Sequence, residues 1–124
     1  MLPYILDEID AIKKQIKSIN REIKERKKLS QEIITRLQER ISRYKEIEND
    51  KIMLDTYSFG NNFDEMREHI RNLIRQLEQE IKFEKIKAWN DIQALLKEKR
   101  HLERELKSLY KREKFLQEFL REFQ

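Results

Sequence analysis

The sequence predicts an all-α fold: an antiparallel two-helix coiled-coil hairpin that dimerises into an elongated four-helix bundle. Three observations predict it. Apolar residues recur in heptad rows along two long segments, glycine and proline occur once each, and 42% of the 124 residues are charged against 38% apolar. This composition with a 3.5-residue repeat is typical of long helices and coiled coils. Few turn residues and few apolar side chains fit a narrow two-row core better than a wide globular one.

The first helix is expected from about residue 3 to about residue 56. Pro3 suits the first turn, where its missing amide hydrogen leaves no bond unmade. Arg26, Ser30 and Arg40 interrupt the apolar rows. Buried charge is costly, so we expect the two arginines either to reach solvent or to meet acidic residues across a dimer interface, and these breaks to fix the register. Twelve of the sixteen row positions are apolar; the rows are Leu2, Ile9, Ile16, Ile23, Ser30, Leu37, Tyr44, Lys51 and Ile5, Ile12, Ile19, Arg26, Ile33, Arg40, Ile47, Leu54.

A turn is expected over about residues 57–62, followed by a second helix to about residue 123. Gly60 suits the left-handed position after a helix, and Asn62 with Glu65 resembles a capping box. The alternative is an earlier break at Asn49-Asp50 with a short extra helix after it. The main apolar row of the second helix is Ile74, Ile81, Ala88, Leu95, Leu102, Leu109, Leu116 and Phe123. Folding back at Gly60-Asn61 pairs Ile5 with Leu116, Ile12 with Leu109, Ile19 with Leu102, Ile33 with Ala88 and Ile47 with Ile74.

The second helix carries more apolar side chains than one seam can cover. In an isolated hairpin the additional ones would stay in water, so we expect a homodimer that covers them. Isoleucine in both rows of the first helix also favours assemblies of more than two helices. The alternative is that lysine and arginine stems cover these groups. The expected interface residues are Phe83, Ile86, Trp89, Leu96, Tyr110, Phe115 and Phe119.

No constellation in the sequence favours catalysis. Cysteine is absent, which excludes disulfides, thiol nucleophiles and cysteine metal sites. Glu98 and His101 have the spacing that places two metal ligands on one helix face in di-iron bundles, but Lys99 and Arg100 put positive charge beside them. The chain has no glycine-rich phosphate loop and no Ser/His/Asp set. We therefore expect no enzyme, no catalytic residue, no metal and no cofactor.

Two segments form a basic band, residues 13–28 and residues 97–114. The first holds eight basic and two acidic residues, a net charge of +6, and the second holds eight basic and four acidic residues, a net charge of +4. The hairpin register places them side by side. A solvated helix face is the plain interpretation, and phosphate contact with a nucleic acid is the functional one. The candidate contacts are Lys13, Lys14, Lys17, Arg21, Lys24, Lys27, Lys28, Lys97, Arg100, Arg104, Lys107 and Lys111.

Location and function follow from these observations as expectations. No apolar run approaches the roughly 18 residues of a membrane span, and the opening MLPYILDEID has acidic residues where a signal peptide needs basic ones. We expect an intracellular protein, cytoplasmic or virion-associated, without membrane contact. Its cysteine-free composition, rich in Glu, Lys, Arg and Ile, is thermophile-like. The expected function is a non-catalytic structural or protein–protein interaction module acting through self-association. The alternative is a nucleic-acid-associated protein.

Overall fold

The computed structural model describes residues 2–50 and 63–123, and 98% of these residues are helical. Helix α1 spans Leu2–Asn49 and helix α2 spans Phe63–Glu122. The two helices pack against each other without any strand in the described ranges, which confirms the predicted all-α hairpin. Neither helix, over the residues described, is long and apolar enough to cross a membrane. Assembly into a four-helix bundle stays a prediction.

Helix α1 ends at Asn49. The predicted end near residue 56 lies outside the described residues. The amide of Asp50 donates to the carbonyl of Ile47 over 3.3 Å, a tightened last turn that is common at helix ends. Asparagine and aspartate favour such an end because their side chains compete with the helix for backbone hydrogen bonds. The predicted turn, with Gly60 and Asn62, lies outside the described residues.

The chain divides into two compact units, and the first, here called the terminal unit, comprises Met1–Arg26 and Asn90–Gln124. Its apolar residues form two clusters, one around Ile9 and Leu109 and one around Ile23 and Leu102. Three predicted pairs each fall within a single cluster, so the two helices run antiparallel here in the expected register. The pairs are Ile5 with Leu116, Ile12 with Leu109 and Ile19 with Leu102.

The second unit, here called the central unit, comprises Lys27–Trp89. Its core is one cluster in which Ile70 is the most deeply buried residue, only 2% exposed. Ile47 packs against the cluster that holds its predicted partner Ile74. Amphipathic faces of this kind, rather than helix propensity, supply most of the stability of helices in proteins. The buried members are Leu37, Ile41, Ile70, Ile74 and Leu77.

The structure corrects the expectation for Arg26. Arg26 was expected to reach solvent or to meet an acid of a second copy. Its guanidinium instead contacts Asp91 of α2 in the same chain. Arg26 therefore obtains its counter-charge within the terminal unit, and a dimer is not needed to compensate it. Arg40, the other arginine in the rows, is exposed, as one of the two expectations had it.

A second ion pair lies near the end of α1. The Nε of Arg71 donates to Glu48 Oε1 over 2.6 Å within the central unit. The last turn of α1 contains no basic residue, although its unpaired carbonyls and the helix dipole favour a positive charge there. Arg71 of α2 supplies that charge. The hydrogen bond with Glu48, more than their mutual attraction, raises the pKa of Arg71.

Candidate interaction surfaces

The side chains of Phe83, Ile86 and Trp89 form an apolar surface on the central unit, here called the outer patch. They are 71%, 61% and 62% exposed. A spacing of three residues places them along one arc of α2. Ala88 of the same helix is buried, and Ile81 packs against the core. The core rows of α2 therefore face α1, while Phe83 and Ile86 face away from it and Trp89 lies beside the seam.

A groove of about 460 Å³ runs beside Phe83. Ile33 and Leu37 of α1 line it together with Phe83, and Gln79, Glu80 and Glu84 complete the lining. The groove gives the outer patch a concave neighbour with apolar residues in its lining. Ligand sites and interface hot spots are typically built from such pockets with aromatic neighbours.

The terminal unit has its own exposed aromatic residues near the chain ends. Phe115 and Phe119, which the sequence placed at an interface, are exposed, and so are Tyr4 and Phe123. The rings of Phe119 and Phe123 lie 4.8 Å apart at an angle of 58°, a tilted arrangement that aromatic pairs favour. A groove of about 450 Å³ in this unit is lined by Tyr4, Ile5, Glu8, Arg112, Phe115 and Leu116.

Two other residues of the predicted interface have neighbours inside the terminal unit. Leu96 is only half-buried and packs against the cluster around Ile23, so it contributes to the core of the hairpin. Tyr110 is exposed, but its ring centre lies 5.4 Å from the Nζ of Lys13. A hydrogen bond with Tyr110, together with the attraction of that group, raises the pKa of Lys13. Lys13 therefore holds its proton more tightly than an ordinary lysine.

Every basic residue predicted to contact nucleic acid is exposed. Lys27 and Lys28 belong to the central unit, and the other ten belong to the terminal unit. Lys14 lies 3.2 Å from Asp10, one turn earlier on α1. Exposed lysines and arginines of this kind lose little hydration by meeting another charge, so pairs such as this one contribute little to stability and compete weakly with a ligand.

The Glu98–His101 pair is not brought to further ligands. His101 Nε2 lies 3.2 Å from Glu105 on the exposed surface of α2, an i,i+4 contact. Within residues 2–50 and 63–123, no group of three or more histidine, cysteine, aspartate or glutamate side chains could hold a metal ion. The two residues therefore lie on an ordinary charged helix face.

Sequence reasoning missed two features of these surfaces. Tyr4 and Phe123 lie at the chain ends, and neither was placed among the exposed apolar residues. The partner of Arg26 was also missed, although a signal was present. Asp91, Glu98 and Glu105 follow one another at intervals of seven, which is the spacing of a single row beside a coiled-coil seam.

One comparison with known proteins gave a match. A family model covers residues 7–120, which is most of the chain and includes the outer patch and both basic segments. No curated protein and no solved structure matches the chain. The family match assigns no activity to any of the surfaces described above. The chain belongs to this family, described as a family of unknown function (DUF8104).

Proposed function

We propose that the protein is a non-catalytic structural module that acts through self-association, with the outer patch as its contact surface. The supporting observation is the exposure of Phe83, Ile86 and Trp89, which lie outside the core rows of α2. Single exposed apolar residues are ordinary, but three large ones on one arc of a charged helix are not. Aromatic side chains of this size are the residues that most often carry interface binding energy.

The proposed occupant of the outer patch is a second copy of this chain. A two-fold contact needs one surface that is complementary to itself. The outer patch adjoins the groove lined by Ile33 and Leu37, so each copy offers exposed apolar side chains beside a recess. Burial of Phe83, Ile86 and Trp89 from each copy would remove several hundred square ångströms of apolar surface from water, at about 150–250 Å² for each aromatic side chain.

The test is the mass of the protein in solution as a function of concentration. We expect sedimentation velocity at about 100 μM to give the mass of a dimer or a larger assembly, in the range where interfaces of ordinary size are populated. The variant Trp89→Glu places a charge in the outer patch and should shift the protein to the monomer at the same concentration. Gln76→Glu adds the same charge at an exposed site of the same helix and should leave the mass unchanged.

Two results would contradict the proposal. One is a monomer mass for the unchanged protein at about 100 μM, since that concentration exceeds the dissociation constants of typical specific dimers. The other is a Trp89→Glu variant that loses its helical circular dichroism without passing through a folded monomer, because that behaviour would place Trp89 in the core of the hairpin itself.

A further inference from the structure

Charge in the terminal unit is sorted by side, and two contacts between the helices identify the sides. In a heptad in which core rows occupy positions a and d, positions e and g flank the seam on opposite sides. Lys13 and Tyr110 occupy e positions and contact each other. Asp91 occupies a g position and contacts Arg26. The Lys13–Tyr110 contact therefore lies on one side of the helix pair and the Arg26–Asp91 contact on the other.

Basic residues of α1 cluster on the Lys13 side. Going around the helix from the seam, position e is followed by b and then by f. Lys17 and Lys24 occupy b positions, and Lys14 and Arg21 occupy f positions. All four are exposed. Between Lys13 and Arg26, no acidic residue of α1 occupies a b or f position.

Basic residues of α2 cluster on the corresponding side, next to Tyr110. Within residues 97–111, five exposed basic residues occupy its b and f positions. They follow one another at alternating intervals of three and four, so the row stays on one face of the helix throughout. Its length is about 21 Å at about 1.5 Å per residue. The five are Lys97, Arg100, Arg104, Lys107 and Lys111.

Acidic residues of the terminal unit gather on the opposite side. Asp91, Glu98 and Glu105 occupy successive g positions of α2, and Glu22 occupies a g position of α1. Four acids lie on the basic side, namely Asp7, Asp10, Glu103 and Glu118. Asp10 lies 3.2 Å from Lys14, and Glu103 lies 3.8 Å from Lys99. Within residues 13–24 and 97–111, the basic side carries ten basic residues and one acid, Glu103.

We infer that this basic side of the terminal unit binds double-stranded nucleic acid through its phosphates. The surface consists of the b residues of both helices with their f residues at its two edges, without Lys27 and Lys28 of the central unit. A row of about 21 Å spans about six nucleotides of one strand at about 3.4 Å each. Rigid helices that carry rows of lysine and arginine contact phosphates without reading the bases, so binding is independent of sequence.

The same surface does not suit single strands or a membrane. Single-strand binding relies on aromatic side chains that stack on bases. The only aromatic residue beside these rows is Tyr110, which is already engaged by Lys13. Helices that lie in a membrane surface insert an apolar face. Within residues 13–24 and 97–111, Tyr110 is the only large apolar side chain that is exposed, so the basic rows have no such face.

Fluorescence anisotropy with a labelled 20-base-pair DNA duplex tests the inference. If the unchanged protein neutralises about five phosphates, the logarithmic salt slope should be about −4.5, and affinity should fall about 500-fold between 50 and 200 mM KCl. Reversing Lys17, Lys24, Arg104 and Lys107 to Glu should weaken binding at least about 30-fold at 50 mM KCl. The control reverses Arg36, Arg43, Lys45 and Lys82, which are exposed residues of the central unit, and changes the net charge equally. It should weaken binding about fivefold or less.

Four results would overturn the inference. Unchanged anisotropy up to about 100 μM protein at 50 mM KCl would show that the basic side does not bind the duplex. A salt slope shallower than about −2 would show that binding does not depend on phosphate contacts. Equal losses in the two quadruple variants would assign binding to net charge alone. Tighter binding to phosphatidylserine vesicles than to the duplex would assign the surface to a membrane. The salt slope is measured on the unchanged protein, so it tests phosphate contact even if a variant loses its helical circular dichroism. Trp89→Glu should keep duplex binding, and this result separates duplex binding from self-association.

Discussion

Arg26 Nε donates a hydrogen bond to Asp91 Oδ2 over 2.9 Å, and the arginine side chain is only 15% exposed against 47% for the aspartate. The arginine lies in a core row and the aspartate beside the seam, so the two differ in what their removal leaves behind. Without Asp91, a largely buried positive charge loses this ion pair. Without Arg26, an acid that is half in water remains hydrated.

Asp91→Ala should therefore destabilise the protein more than Arg26→Leu. We expect a loss of about 1–2 kcal/mol for Asp91→Ala, less than for a fully buried pair because solvent screens the exposed partner. Arg26→Leu restores an apolar row and should change stability by less than about 0.5 kcal/mol or increase it. Urea unfolding followed by circular dichroism measures both. Glu98→Ala, one heptad further along the same row, is the control, and a larger loss for Arg26→Leu would contradict this account.

The two faces of α2 should respond differently to the same truncation. Ile70→Ala removes the most deeply buried side chain of the central unit and should cost about 3 kcal/mol. Ile86→Ala removes an exposed one and should cost about 0.5 kcal/mol or less in the monomer. Urea unfolding at a concentration where the protein is monomeric gives both values. Similar losses at the two sites would show that the outer patch is covered within the chain.

Tyr110→Phe should lower the pKa of Lys13. The hydrogen bond with Tyr110 raises that pKa above the ordinary value, and phenylalanine cannot form it. A lysine whose folded-state pKa is raised contributes stability below its unfolded-state pKa and loses that contribution as pH rises through the folded-state pKa. The difference between the two proteins should therefore disappear only in alkaline solution. Carbon-13 NMR titration of the lysine side chains measures the shift, and an unchanged Lys13 titration would refute the assignment.

Arg71→Ala should loosen the end of α1 without changing the rest of the central unit. Arg71 supplies the positive charge that the last turn of α1 lacks, so its loss should leave the helix end less stable. Hydrogen exchange of the amides of residues 45–49 should become faster, while that of Ile74 should be unchanged. Arg75→Ala is the matched control, because Arg75 contacts Asn72 and Glu68 on its own helix. Equal acceleration in both variants would contradict the role of Arg71.

The heptad rows predicted the fold and the pairing of the helices because both depend on which residues are apolar. Ile19 with Leu102 and Ile47 with Ile74 follow from periodicity and one fold-back point alone. The end of α1 at Asn49 was less predictable, because asparagine and aspartate weaken a helix without excluding it. The partner of Arg26 depends on the side of the seam towards which the arginine side chain extends. That choice is made by side-chain geometry and not by the apolar pattern.

The candidate surfaces were predictable to different degrees for the same reason. Phe83, Ile86 and Trp89 fall outside the core rows, so the sequence alone assigns them to the exterior. Leu96 lies close enough to the seam to be half-buried, and periodicity could not separate it from them. The division of the terminal unit into a basic and an acidic side follows from heptad positions. It became visible only when the Lys13–Tyr110 and Arg26–Asp91 contacts had identified the two sides.

The position of Trp89 makes its intrinsic fluorescence a probe of self-association. Trp89 is the only tryptophan in the sequence, and its indole lies in water on the single chain. An indole that moves from water into an apolar interface shifts its emission to shorter wavelength, so the emission maximum should follow the dilution of the assembly. Unfolding of a monomer exposes little more of this ring and should leave the maximum nearly unchanged. Emission and circular dichroism then report two different equilibria in one unlabelled sample, the first association and the second folding.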